Sequence, residues 1–173
     1  MRTDYSMFEY KNGWYGNILD PVSNKNIIVH ISSSDSKQIP DECKEALDWF
    51  VENYEAMHDE LLYKVLEYYC EERENLGYDV EENEDYPFVS SIDEISNMIT
   101  FRAITIPNQQ RFIKGVFLVY DCSWDIEEGL GIRIVDGQII RVGNQGIALW
   151  LLPVDRTNML VKEIRIWGGY WNG

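Results

Sequence analysis

The sequence predicts an α+β fold, on three observations. Residues of high β propensity collect in two separate blocks, one before Ser32 and one after Thr100. Between them an apolar stripe recurs at spacings of four and three from Cys43 to Tyr68, which is the period of a helix. Asn12-Gly13 and Asp136-Gly137 are strong two-residue turn signals, because both positions of such turns need positive φ. The architecture expected is an N-terminal antiparallel β-meander, a long amphipathic helix and a C-terminal antiparallel sheet. A chain of 173 residues accommodates this as a single domain over residues 1–173.

Taken in order, Met7 to Tyr10 is a short aromatic strand that turns at Asn12-Gly13 into a second, Trp14 to Leu19. Asp20-Pro21 and Ser23-Asn24 turn the chain again, and Asn26 to Ile31 is a β-branched third strand. After the polar linker Ser32 to Ser36, Pro40 suits the first turn of a helix, and Asp41 and Glu42 suit the positive end of its dipole. The stripe of Cys43, Leu47, Phe50, Tyr54, Met57, Leu61, Val65 and Tyr68 then predicts one helix over about 41–74, ended by Gly77. Such a helix would extend about 50 Å, so a break near Asn53 or in the last two turns is an alternative. Residues 79–86 are an acidic loop. Ser90 or Ser91 caps a short helix over Ile92 to Met98. Strands follow at Thr100 to Ile106, Arg111 to Tyr120, Leu130 to Val135 and Gln138 to Val142, with further ones expected at Ile147 to Leu152 and Leu160 to Trp167.

The chain carries 30 acidic and 15 basic residues, a net charge of −15, with 45% hydrophobic and 13% aromatic positions. That much apolar side chain supports a core and argues against intrinsic disorder. The acidity is local: Asp35 to Tyr86 holds 18 acidic and 4 basic residues, whereas everything else holds 12 and 11. An acidic segment on a near-neutral body suggests either a surface that steers a basic protein partner or a solvated helix face. The outward positions that would meet such a partner are Glu45, Asp48, Glu52 and Glu55. Nucleic acid is an unsuitable partner, because phosphate binding needs a Lys/Arg footprint. No apolar run approaches the roughly 20 residues of a membrane span, and the first residues lack a signal-peptide core. A cytoplasmic protein is therefore expected.

Cys43, Cys70 and Cys122 are odd in number, widely spaced and without CxxC or Cys/His ligand spacing, so a disulfide scaffold or zinc site is not expected. Cys43 and Cys70 read as core residues of the helix. His30 and His58 read as structural, since neither stands in a nucleophile motif. The densest polar cluster is Asp121, Ser123, Asp125, Glu127 and Glu128, directly before Gly129-Leu130-Gly131. It starts like an EF-hand loop, but its sixth and twelfth positions are Ile126 and Ile132 instead of glycine and glutamate. Asp121, Asp125 and Glu127 remain the candidate metal ligands of an alternative reading, a hydrolase-type or metal-binding enzyme with a carboxylate site at Asp121 to Glu128. No cofactor is implied. The tail from Trp167 to Gly173 is either an aromatic anchor closing the core or a partner contact through Trp167 and Trp171.

At Trp124 to Leu149 (WDIEEGLGIRIVDGQIIRVGNQGIAL) the chain resembles a bacterial family of domains of unknown function. In that pattern a Trp-acidic-x-Glu-x-Gly-Leu-Gly stretch leads into a strand, an Asp-Gly hairpin and a Val-Gly-x-x-x-Ile-Ala ending. An N-terminal Trp-Tyr-Gly strand pair and a long helix with an Asn-x-x-Glu-like step, echoed at Asn53 to Met57, go with it. The pattern carries histidine where Glu128 stands and aspartate where Gly146 stands. The resemblance implies the fold and no activity. By analogy with small acidic α+β immunity proteins of bacterial toxin systems, it suggests a non-catalytic binding module. An oligomeric accessory domain using the helix stripe is the other non-enzymatic reading.

Overall fold

The computed structural model describes residues 3–78, 83–107 and 115–149. A 3₁₀ turn at Tyr5–Met7 precedes strands β1 (Glu9–Tyr10), β2 (Trp14–Leu19) and β3 (Asn26–Ile31). Helices α1 (Asp41–Asn75) and α2 (Ile92–Ser96) follow, then β4 (Ile99–Ile106), β5 (Gly115–Cys122), β6 (Leu130–Val135), β7 (Gln138–Gly143) and helix α3 (Gly146–Leu149). The two strand blocks join into one seven-stranded sheet whose order is the sequence order. Every neighbouring pair is antiparallel except β3 and β4, which run parallel with Val29 opposite Ile104. The connection between those two strands is the helical block.

Turn chemistry sets the hairpins. Asn12, Asn24 and Asp136 all adopt positive φ, and Asp136-Gly137 closes β6 onto β7 with Val135 opposite Gln138. The helix α1 is continuous over 35 residues, with no break at Asn53, whose side-chain amide donates to the Trp49 carbonyl (2.7 Å). It ends in a Schellman motif: Gly77 takes φ +79°, its amide donates to Glu74 O, and the Tyr78 amide donates to Arg73 O.

One face of the sheet packs against α1. Ile27, Val29 and Ile31 of β3, Ile104 and Ile106 of β4, Leu118 of β5 and Ile132 and Ile134 of β6 are fully buried there, and along β3 burial alternates as in a half-covered strand, whereas β5 and β6 are buried on both faces over most of their length. The helix supplies Cys43, Leu47, Phe50, Tyr54, Leu61 and Val65 to this core. In its last turns the stripe differs from the expectation, because Tyr69 and Arg73 are buried while Tyr68 is half-buried. There the covering layer is no longer the sheet but the chain around α2: Tyr69 Oη donates to Pro87 O (2.6 Å), Arg73 Nε donates to Tyr86 O (2.8 Å), and Trp124 packs edge-on to Tyr69. Cys70 is exposed, contrary to its reading as a core residue. It lies five residues beyond Val65, about 140° round the helix.

The stretch from Ile147 is helical where a strand is expected. The Ile147 and Ala148 amides bond back to Asn144 and Gln145, and Ala148 is buried. A short apolar run carries no periodicity that separates the two states. Residues 150–152, the strand expected at 160–167, residues 111–114 and residues 79–82 lie outside the described residues.

Across the core, Tyr54 Oη and Tyr120 Oη hydrogen-bond at 3.0 Å, and Phe101 stacks on Tyr120 at 4.6 Å. Burial pushes the ionisation of both phenols upward, so the pair is neutral at any physiological pH. Tyr54→Phe or Tyr120→Phe leaves one buried hydroxyl without its partner and should cost about 1–3 kcal/mol in denaturant titration. The double variant should cost less than the sum of the singles; strictly additive losses would show that the hydroxyls do not interact.

Candidate partner-binding surface

The surface singled out by charge is the outer side of α1. Glu45, Glu52 and Glu55 are exposed, at successive outward positions, because the opposite side of the helix is buried against the sheet. Asp48 is half-buried and already engaged: it accepts a hydrogen bond from Tyr5 Oη (2.9 Å), whose hydroxyl also bonds the Lys44 carbonyl (2.9 Å). Burial first, and then Asp48, push the Tyr5 phenol upward, which fixes Tyr5 as a neutral donor tying the N-terminal turn to the helix.

Beside this acidic face the helix meets the β2–β3 turn in a cleft of about 350 Å³, lined by Leu19, Asp20, Pro21, Val51, Glu52 and Glu55 among others. A smaller cleft of about 170 Å³ adjoins it, sharing Leu19 and Val51 and extending to Asp4 and Met7. Among the described residues, neither lining includes a lysine or arginine. Met7 is 73% exposed and Leu19 is also exposed, so exposed apolar side chains stand among the carboxylates along the clefts. Asp20 is buried and organises the turn: its carboxylate accepts from the Val22 and Ser23 amides and from the Ser23 hydroxyl. Sequence reasoning read Asp20-Pro21 as a turn and did not place it beside Glu52 and Glu55. A contact between residues some thirty positions apart leaves no local signal. Trp167 and Trp171 lie outside the described residues.

The polar cluster after β5 is organised differently. Asp121 pairs with Arg102 (2.7 Å), which projects from the β-bulge between Phe101 and Ala103, and both side chains are largely exposed. Asp125 Oδ1 accepts the Glu128 amide (2.9 Å), and its carbonyl accepts the Gly129 amide and the Cys122 thiol. Glu127 is exposed and offers its carbonyl to Gln145 Nε2 (3.4 Å). The carboxylates of Asp121 and Asp125 thus have separate partners, and among the described residues no group of three or more His, Cys, Asp or Glu side chains converges.

The same stretch has a structural logic. Trp124 is buried against Tyr69, and Leu130 is fully buried. Gly129 takes φ +57°, and a Cβ there would stand 2.9 Å from the Tyr120 carbonyl. A Cβ at Gly131 would stand 2.7 Å from the Asn144 carbonyl. The pattern Trp-Asp-x-Glu-x-Gly-Leu-Gly therefore anchors a turn and seats α3.

Both histidines pack against aromatic rings: His30 stacks on Tyr15 at 4.6 Å, and His58 meets Tyr54 edge-on. His30 fills the space where a Cβ on Gly13 would be, 2.7 Å from its Nε2, and burial lowers its pKa. A histidine whose folded pKa lies below its unfolded value, about 6.5, takes up its proton later in the folded protein. Stability is then full above the unfolded value and falls as pH drops from there towards the folded one. Denaturant titrations at pH 7.5 and 5.5 should show that loss, and His30→Gln should reduce it.

Cys43 and Cys122 are buried, and burial pushes the Cys122 thiol up to about 11. A maleimide should accordingly modify one cysteine of the native protein, Cys70, and all three only after unfolding. Rapid native labelling of Cys122 would show that the turn at 121–129 opens.

No curated protein and no solved structure matches the chain. Among the described residues no helix is long and apolar enough to cross a membrane. The family match runs over residues 4–149, from the N-terminal turn through α3, and so takes in every described strand and helix. The chain belongs to the family defined by the domain of unknown function DUF6985.

Proposed function

We propose that this protein is a non-catalytic binding module that receives a basic, partly apolar segment of a partner protein on the outer side of α1 and in the two clefts beside it. The observation that carries this reading is the pair of adjoining clefts at the β2–β3 turn. They combine Asp4, Glu52 and Glu55 with exposed Met7 and Leu19, and among the described residues no lysine or arginine lines them. Exposed apolar side chains beside charged ones suit a protein-binding surface, whose centre is apolar and whose rim is polar. The charge localised over residues 35–86 adds long-range attraction for a cationic partner. Occlusion of a basic toxin surface, as an immunity-like protein in a bacterial cytoplasm, is the specific form of this proposal. The three cysteines, which form no disulfide, fit a reducing compartment.

The test is kinetic. A partner recovered from the source cell with the tagged full chain should associate more slowly as salt rises, because the attraction is screened over about 8 Å at physiological ionic strength. Glu45→Lys, Glu52→Lys and Glu55→Lys together should slow association by roughly tenfold or more with little change in melting temperature, since exposed charges contribute little to stability. Asp48 is left out of that set because its loss would also break the Tyr5 contact. Leu19→Ala should act instead on dissociation. An association rate indifferent to salt and to the three reversals would remove the basis of the proposal.

A further inference from the structure

The sheet face opposite α1 is the second surface of interest. Register places Tyr15, His30, Thr105, Phe117, Arg133 and Arg141 in one row across it, from β2 to β7. Beside that row Ile28, Ala103 and Val119 stand opposite one another on β3, β4 and β5. An antiparallel sheet face left to water ordinarily carries polar side chains, yet the centre of this one carries none that is charged. Its burial is graded. Phe117 and Arg133, with the guanidinium 4.9 Å from the ring centroid, are 2% and 3% exposed beside α3. Towards β3, Val119, Ala103 and His30 are half-buried and Ile28 is 56% exposed.

We infer that residues 150–173 of this chain are the cover of that face. The last described helix, α3, already lies on it, since Ile147 occupies the space in front of Gly131 and Gly143, so the chain beyond Leu149 departs from there. Twelve of those 24 residues are apolar, including Trp150, Trp167 and Trp171. From β6 to β2 is four strand spacings, about 20 Å, and 24 residues span up to about 80 Å, so reach is no obstacle. The segment follows the family match, which closes at residue 149. This surface is distinct from the acidic side of α1, and the inference does not depend on that proposal.

Photo-cross-linking in the full chain tests it. p-Benzoyl-phenylalanine is placed at Val119 in one protein, at Ile28 in a second and at Glu60, exposed on α1, in a third. Expected are cross-links from the first two positions to peptides of residues 150–173 in a species of monomer mass, and none from the third. Cross-links between two copies would assign the face to self-association, and cross-links confined to residues 3–149, or none, would equally overturn the inference. A thiol-labelling measurement guards against a bulky probe disturbing the fold. In a Cys70→Ser background, the thiol of Ile28→Cys should label at least tenfold faster when Trp167→Ala and Trp171→Ala are added. An unchanged labelling rate in a protein with native circular dichroism would also overturn it.

Discussion

The parallel pairing of β3 with β4 is the constraint on which the rest depends. Two strands that run the same way side by side need a crossover that carries the chain back along the sheet, and here α1 supplies it. Burying Ile27, Val29, Ile31, Ile104 and Ile106 requires the helix to lie on that face, and the stripe from Cys43 to Val65 is what it offers in return. A helix of 35 residues is about 50 Å long, roughly twice the length of the eight-residue strands β4 and β5. Its last turns, from about Tyr69, therefore extend past the sheet core that Leu61 and Val65 still join. Tyr69 and Arg73 are buried by the segment around Tyr86 to Phe88 and by Trp124, which adds a cation–π contact of Arg73 on Phe88 at 4.0 Å.

Legibility in the sequence followed the range of the interaction responsible. Strands β2, β3 and β6 have the bounds their composition predicts, because alternation and flanking turns are local. So do the helix start at Asp41 and its stop at Gly77, where an αL glycine leaves a clear mark. The joining of the strand blocks was not legible, since a parallel register is set by which faces meet across the crossover. The exposure of Cys70 and the burial of Tyr69 escaped for a related reason: the helix changes partner in its last turns, and a single stripe drawn along its whole length cannot follow. Of the candidate surface, Glu45, Glu52 and Glu55 were legible from helical spacing. The clefts were not, because Asp20 and Met7 reach the helix only through tertiary packing.

The stretch from Asp121 to Gly131 shows why polar density alone is a weak guide to chemistry. Three carboxylates within seven residues suggest a cation site, but a turn that ends a buried strand must also satisfy its own amides. Asp125 does this for Glu128, and Asp121 is drawn to Arg102 on the neighbouring strand. The glycines close by are accounted for by backbone approach to Tyr120 and to Asn144.

The acidic side of α1 has no comparable structural account. Glu45, Asp48, Glu52, Glu55 and Asp59 are like charges three or four positions apart, a spacing that weakens a helix by a few tenths of a kcal/mol per pair, roughly. Against them the described part of α1 holds two intrahelical ion pairs, Lys44 with Asp41 and Lys64 with Glu67, both exposed and of small worth. The helix stands because its other side is buried. Of the five, Asp48 alone has a structural contact, with Tyr5. The remaining charge opposes the helix that carries it, and the fold would be as well served by neutral polar residues there. Charge that costs stability where it sits, beside clefts whose described lining includes no lysine or arginine, is the physical basis on which a basic partner is proposed.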